Sequence, residues 1–190
     1  MSNIYIDDKE YKGVDFSEDK IAIAEYESCT FINCNFGKLN LSNISFADCE
    51  FENCDLSMAK LVNTTLREIR FKACKMLGLH FEDCNSFLFS ANFENCQLNL
   101  SSFYKCMLKN TDFTNCSLSE VDFTECDLSG SVFNECDLIA AIFENTIMLK
   151  TDFRTAYNFS IDPENNQIAK AKFSQAGLAG LLTKYDIEIE

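Results

Sequence analysis

Residues 93–153 read FENCQLNLSSFYKCMLKNTDFTNCSLSEVDFTECDLSGSVFNECDLIAAIFENTIMLKTDF. Every fifth residue is large and apolar, and phenylalanine alternates with leucine or methionine: Phe93, Leu98, Phe103, Leu108, Phe113, Leu118, Phe123, Leu128, Phe133, Leu138, Phe143, Met148, Phe153. Cys96, Cys106, Cys116, Cys126 and Cys136 each stand two residues before a leucine. A helix repeats every 3.6 residues and a strand every 2, so neither carries a beat of five. The pattern needs a coil that turns a corner every five residues.

Working outward, the beat begins at Phe16 and runs through Ile21, Tyr26, Phe31, Phe36, Leu41, Phe46, Phe51, Leu56, Leu61, Leu66, Phe71, Met76 and Phe81. It then slips by two residues and resumes at Leu88 and Phe93. With the apolar centre called i, position i−2 is small or apolar, and every cysteine falls there if Cys84 is counted in the earlier phase. Positions i−1, i+1 and i+2 are mostly polar. Two residues of each five therefore point inward and three outward, which closes the chain into a tube with one pentapeptide per side.

Four sides make a turn of 20 residues, and residues 20 apart should stack. One such column reads Tyr11, Phe31, Phe51, Phe71, then across the slip Phe93, Phe113, Phe133, Phe153; a second reads Cys34, Cys54, Cys74, Cys96, Cys116, Cys136. The slip keeps both columns intact, so it predicts a small bulge near residues 84–92 inside one β-helical domain spanning 1–173. Beyond Phe153 the beat degrades: Asn158 and Pro163 occupy expected centres. Residues 174–190 then form a separate cap. Ser174 is a fitting N-cap, and Leu178, Leu181, Leu182 and Tyr185 follow helical spacing. Ile187 and Ile189 alternate with glutamate as in a short edge strand. Such a segment is needed to cover the open end of a solenoid.

Composition narrows the function classes. The chain has 190 residues, 16 basic and 30 acidic, for a net charge of −14. That balance opposes direct binding to nucleic acid or to an anionic membrane, both polyanions. No apolar window is long enough for a membrane span, and the acidic N-terminus lacks the pattern of a secretory signal; a cytoplasmic location is expected. In a reducing cytosol the cysteines read as small buried apolar residues. Spaced five apart, Cys29/Cys34 and Cys49/Cys54 lie on adjacent faces and form no metal knuckle; whether any pair as disulfides stays open. The lone histidine, His80, falls on an outward position with no nucleophile partner. No catalytic residue, metal or cofactor is expected.

Units such as FTNCS, LSEVD, FTECD and LSGSV resemble the pentapeptide-repeat family. The resemblance implies an all-β, right-handed quadrilateral parallel β-helix, here with a short C-terminal α-helix. The acidic rod and C-terminal cap are similar to the Qnr-type quinolone-resistance subgroup. That implies a DNA mimic that binds a type II topoisomerase, DNA gyrase or topoisomerase IV, and protects it from fluoroquinolones, as a homodimer joined through Leu178, Leu181, Leu182 and Tyr185. This sequence departs from Qnr-type proteins that project long loops, since it has only the short slip with Phe87, Leu88 and Phe89 nearby. Three of the four faces carry the expected partner-binding carboxylates: Glu94, Asp112, Glu135 and Asp152 on the aromatic face; Glu120 and Asp137 on the next; Asp122, Glu125 and Glu144 on the third. Lys109 and Lys150 fall on the fourth. The alternative is a structural or protein-interaction scaffold whose acids serve solubility.

Overall fold

The computed structural model describes residues 4–188. The chain winds as a continuous four-sided parallel coil. On the first face, a seven-stranded parallel sheet runs through Glu10–Lys12, Thr30–Ile32, Glu50–Glu52, Ile69–Lys72, Ala91–Glu94, Asp112–Thr114 and Val132–Asn134. The register advances by 20 residues per coil, as Phe31 pairs with Phe51, and by 22 at one step, where Phe71 pairs with Phe93. The fourth face carries a second, four-stranded sheet, Tyr5–Asp7, Glu25–Glu27, Ser45–Ala47 and Thr65–Arg67. The second and third faces, and the fourth beyond residue 107, join coil to coil through single bridges such as Asp15 to Asn35 and Met107 to Asp127.

Corners explain why five residues suffice for a side. Residue i+2 of almost every unit sits at positive φ, for example Asn33, Asn43, Asn53, Asn63, Asn110, Asn115 and Asn145 at 50–64°. Asparagine, aspartate and glycine tolerate that left-handed region best. No valine, isoleucine or threonine occupies it, as the crowding of a branched Cβ requires. The two β-branched residues at i+2 positions, Ile23 and Thr155, are absent from the positive-φ set. After Thr155 the coil distorts: Asn158 turns outward at φ 59°, and Phe159 fills the core in its place.

Inside the tube the expected columns stack. Phe93, Phe113, Phe133 and Phe153 lie ring over ring at 5.0, 4.8 and 4.9 Å. In the C-terminal half Phe81, Phe103, Phe123 and Phe143 form a second column on the third face and meet the first edge-on, Phe103 to Phe113 at 6.1 Å for example. The Phe/Leu alternation thus sets phenylalanines on opposite faces, with leucines on the two between. Each buried ring contributes ~1.5–3 kcal/mol of transfer free energy, and the edge-on and offset pairs suit the ring quadrupole.

The i−2 side chains do more than fill space. The Cys54 thiol hydrogen-bonds the Phe31 carbonyl at 3.3 Å, Cys116 that of Phe93 at 3.4 Å, and Thr146 that of Phe123 at 2.9 Å. Cys, Ser and Thr interchange there because each is small and carries one donor for a buried carbonyl. All eleven cysteines are free and buried. Burial pushes the Cys49 and Cys106 thiols up to about 12.

The bulge lies on the fourth face. Asn85 still bonds the Thr64 carbonyl in the 20-residue register, and the 22-residue register begins at Ala91. Between them a single 3-10 turn, Ser86–Leu88, throws Phe87 out to 88% exposure, while Phe89 turns in against Phe81.

The C-terminal cap departs from its expected form. It is two 3-10 turns, Ala176–Leu181 and Thr183–Tyr185, and not an α-helix. Gly177 and Gly180 interrupt the segment, and glycine is poor in helix interiors. Both glycines are needed: a Cβ on Gly180 would come within 2.4 Å of the Phe159 carbonyl oxygen, and one on Gly177 within 3.0 Å of the Phe159 ring. Ser174 does cap, accepting from the Gly177 N–H at 3.1 Å. Ile187 and Glu188 form no strand, and Ile189 lies outside the described residues.

Candidate partner-binding surface

The expected acidic residues all project from the outside of the tube, but they are not equivalent. Glu120, Glu125 and Glu135 stand on left-handed corners, at φ 56°, 56° and 54°, where the backbone thrusts the side chain outward. Asp112 and Asp152 share a column on the first face with Val132 between them. Asp122 stacks between Ser102 and Ile142, and Asp137 between Ser117 and Tyr157. The rows expected from the sequence are therefore punctuated by apolar or neutral residues.

Neighbours divide the set further. Asp152 is bound through both oxygens by Arg154, the shortest contact 2.7 Å, and approached by Lys172 at 3.6 Å. The hydrogen bonds from Arg154 hold its carboxyl below the usual carboxylate range. Glu125 pairs with Lys105 at 3.5 Å. Asp137 accepts from Ile139 N–H and the Asn158 amide, Asp122 from Thr124 N–H, and Glu94 from the Asn95 amide. Among the described residues, the carboxylates of Asp112, Glu120, Glu135 and Glu144 hold no ion pair or side-chain hydrogen bond. They are exposed and are the groups most available to a basic partner. The sequence reading omitted Asp162 and Glu164, which extend the third face but are both taken by Lys184 at 2.7 Å.

Charge density gives the scale. From Ile6 to Ile168 the fourth face climbs eight coil steps, roughly 38 Å at ~4.8 Å each. A net charge of −14 over that length is about one charge per 2.7 Å, against one per ~1.7 Å for duplex DNA. The rod is thus more dilute than DNA but of the same order. The charge is unevenly spread: Lys109, Lys150 and Lys170 sit on the fourth face of the C-terminal half, opposite the second.

His80 is exposed and pairs with Glu82 at 3.0 Å. Among the described residues no three histidine, cysteine, aspartate or glutamate side chains converge as for a metal, and no helix is long and apolar enough to cross a membrane. Of the expected dimer residues, Leu178, Leu182 and Tyr185 are outside at 48%, 36% and 52% exposure. Leu181 instead turns inward against the core. Lys184, Tyr185 and Thr183 tie the cap to Asp162, Glu164 and Ser160.

Sequence profiles for a pentapeptide repeat region match residues 24–87, and profiles for pentapeptide repeats in eight copies match 88–119 and 116–154. No curated protein sequence matches. Among solved structures, full-length QnrB1, titled a plasmid-mediated fluoroquinolone resistance protein, superposes with a TM-score of 0.60 at 15% identity, covering 96% of this chain and 100% of its own. A trypsin-treated variant of QnrB1 gives 0.50 at 20% identity, covering 99% and 98%. HetL, a pentapeptide-repeat protein of the cyanobacterium Nostoc, gives 0.47 at 15%, covering 92% and 88%. At these identities the likeness is one of fold.

Proposed function

This chain belongs to the pentapeptide-repeat family, and from that premise we propose that it is a non-catalytic acidic rod that imitates duplex DNA on a type II topoisomerase, with DNA gyrase the first partner and topoisomerase IV the second. The observation that carries the reading is the group of unpartnered carboxylates, Asp112, Glu120, Glu135 and Glu144, on three adjacent faces of a rod with about two-thirds of the linear charge of DNA. Glu94, Asp122 and Asp137 thicken that field, while Glu125 and Asp152 line the same faces with their charge shared by Lys105 and by Arg154 and Lys172. A groove lined with lysine and arginine to hold a duplex is attracted to such a surface, and the attraction weakens steeply with salt. Exposed Leu178, Leu182 and Tyr185 at the capped end support end-to-end pairing of two rods into a longer mimic, with Leu181 holding the cap in place. The cytosol, where free thiols persist, is the compartment this assigns. Protection from fluoroquinolones is the biological outcome to test.

The deciding experiment is plasmid supercoiling by purified gyrase, with and without a quinolone, as the protein is titrated in. Inhibition or drug protection by the wild type, lost in the Asp112→Lys, Glu120→Lys, Glu135→Lys, Glu144→Lys variant, supports the reading. A wild type that neither inhibits, protects nor binds gyrase at low salt overturns it. The scaffold reading then stands, favoured by the apolar breaks Val132, Ile142 and Tyr157 in the acidic columns.

A further inference from the structure

The fourth face changes sign at its middle. Its N-terminal half displays Asp7, Asp8, Glu25, Glu27, Asp48 and Glu68 with a single Arg67; its C-terminal half displays Lys109, Lys150 and Lys170 with a single Asp127. The bulge that exposes Phe87 lies between the halves, four coil steps from Ile6 and four from Ile168. We propose that two copies of this chain pair side by side and antiparallel through their fourth faces, about a two-fold axis that passes between their Phe87 side chains.

Such an axis keeps each lateral position opposite itself and reverses the coil order. The level of Ile6 then meets that of Ile168, Tyr26 meets Met148, Phe46 meets Leu128, and Leu66 meets Leu108. Lys170 comes to Asp7 and Asp8, Lys150 to the level of Glu25 and Glu27, the latter already shared with Arg67 at 3.6 Å and the Tyr5 hydroxyl at 2.7 Å, and Glu68 to the level of Asn110 and Lys109. Asp7, Asp8, Glu68, Lys150 and Lys170 hold no ion pair within the chain among the described residues, so both signs are available for the partner. Two like-charged pairs are brought together, Asp48 with Asp127 and Arg67 with Lys109, and all four are already occupied within the chain: Asp48 by Arg67 at 3.7 Å, and Asp127 by Lys109 at 3.1 Å. A parallel pairing would bring Lys150 and Lys170 level only with lysines and the acids level with acids, with no opposite charge to meet. The antiparallel arrangement places Phe87, with Met107 at 57% exposure beside it, at the centre of the contact and the ions around it. That is the usual anatomy of an interface, with an apolar anchor inside a polar rim, and one patch meeting itself is the simplest closed symmetry.

Size sets the strength. A face roughly 38 Å long and about 10 Å wide buries ~400 Å² per rod, so ~800 Å² in total, below the usual range for a stable dimer. Repulsion between two rods of charge −14 subtracts from it. The pairing is weak and held in register by its ions. It leaves the first, second and third faces outward and differs from the end contact at Leu178, Leu182 and Tyr185. The test is a Phe87→Cys variant treated with a short bismaleimide at high protein concentration, made also in a Leu178→Asp, Leu182→Asp background to remove the end contact. Phe87 is exposed, so the change leaves the fold intact, and the native thiols are buried. The expected result is a covalent dimer in both backgrounds. It falls about tenfold when Lys150→Glu and Lys170→Glu are added, and returns when that chain is mixed with one carrying Asp7→Lys, Asp8→Lys and Glu27→Lys. No dimer, a dimer indifferent to charge reversal, or no recovery on mixing overturns the proposal.

Discussion

Replacing Phe113 by alanine tests whether the stacked column holds the rod together. The ring is fully buried, stacked on Phe93 at 5.0 Å and Phe133 at 4.8 Å, and edge-on to Phe103 and Phe123 at 6.1 and 6.2 Å. Transfer alone costs ~1.5–3 kcal/mol. A cavity adds to that unless the walls relax. Here they cannot close far, because both stacked neighbours are fixed at the coil spacing by backbone ladders from Ala91 to Asn134. The loss should therefore fall in the upper part of the range for Phe→Ala, about 4–5 kcal/mol. Against a typical stability of ~5–15 kcal/mol, that lowers the melting temperature by roughly 8–20 °C for a chain of this length. Far-UV circular dichroism during heating, with a urea titration for the slope, is the assay. Because each coil touches only its neighbours, a lesion in the middle should also split the transition, the two halves melting separately. Phe87→Ala, at 88% exposure, is the control and should change stability by less than about 0.5 kcal/mol. Equal melting of the two variants would refute the claim that the aromatic column stabilises the fold.

Four further outcomes follow from the geometry. Leu100 holds a left-handed corner at φ 63° with its side chain exposed, so Leu100→Gly should raise the urea midpoint by the equivalent of ~0.5–1 kcal/mol, while Leu100→Val lowers it. A thiol reagent at pH 8 should find almost no reactive cysteine until urea is added, and then all eleven. The same burial makes the protein labile to alkali. Cys49, Cys106 and Tyr26 are raised to about 12 from 9, 9 and 10 by loss of hydration, so their stabilisation is complete below the unfolded values and is lost as pH climbs from about 9 towards 12. Alkaline melts that stay level across that window would contradict it. Gly180→Ala drives a methyl into the Phe159 carbonyl and should lift the cap, seen as faster amide exchange at Ile161, whose N–H bonds the Gly180 carbonyl.

The interior was legible because its rule is periodic: the five-residue beat selects the inward residues and the 20-residue turn stacks them, from Tyr11 on Phe31 to Phe133 on Phe153. Where the rule is broken by local chemistry, the sequence was a poorer guide. At the expected centre 158 stands an asparagine, which adopts a left-handed turn at φ 59° and points outward, and the neighbouring Phe159 takes the core position instead. The cap has helical spacing at Leu178, Leu181, Leu182 and Tyr185, yet Gly177 and Gly180 must lie flat on Phe159, and close packing sets a tighter turn than the spacing implied. Cysteine at i−2 was read as filler; its donor function depends on which carbonyls the corners leave facing inward.

The candidate surface was half legible for a reason that sharpens it. The same 20-residue stacking that orders the core also orders the charges: Glu52 meets Lys72, Asp55 meets Lys75, Lys105 meets Glu125, and Asp152 meets Lys172. Each is a pair of opposite sign separated by one turn, and each is predictable by the arithmetic that found the phenylalanines. Exposed pairs of this kind contribute ~0–1 kcal/mol to stability, but they remove carboxylates from the field offered to a partner. Asp112 has Asn92 and Val132 one turn away, Glu120 has Leu100 and Ala140, Glu135 has Asn115 and Thr155, and Glu144 has Thr124 and Glu164. None has a cation in stacking reach. Charge alone singles out nothing on so acidic a chain, whereas the absence of both a counter-ion and a hydrogen bond at the carboxylate leaves these four of the nine expected acids, and they share the C-terminal half of the rod on the three faces that the lysine-bearing fourth face turns away from.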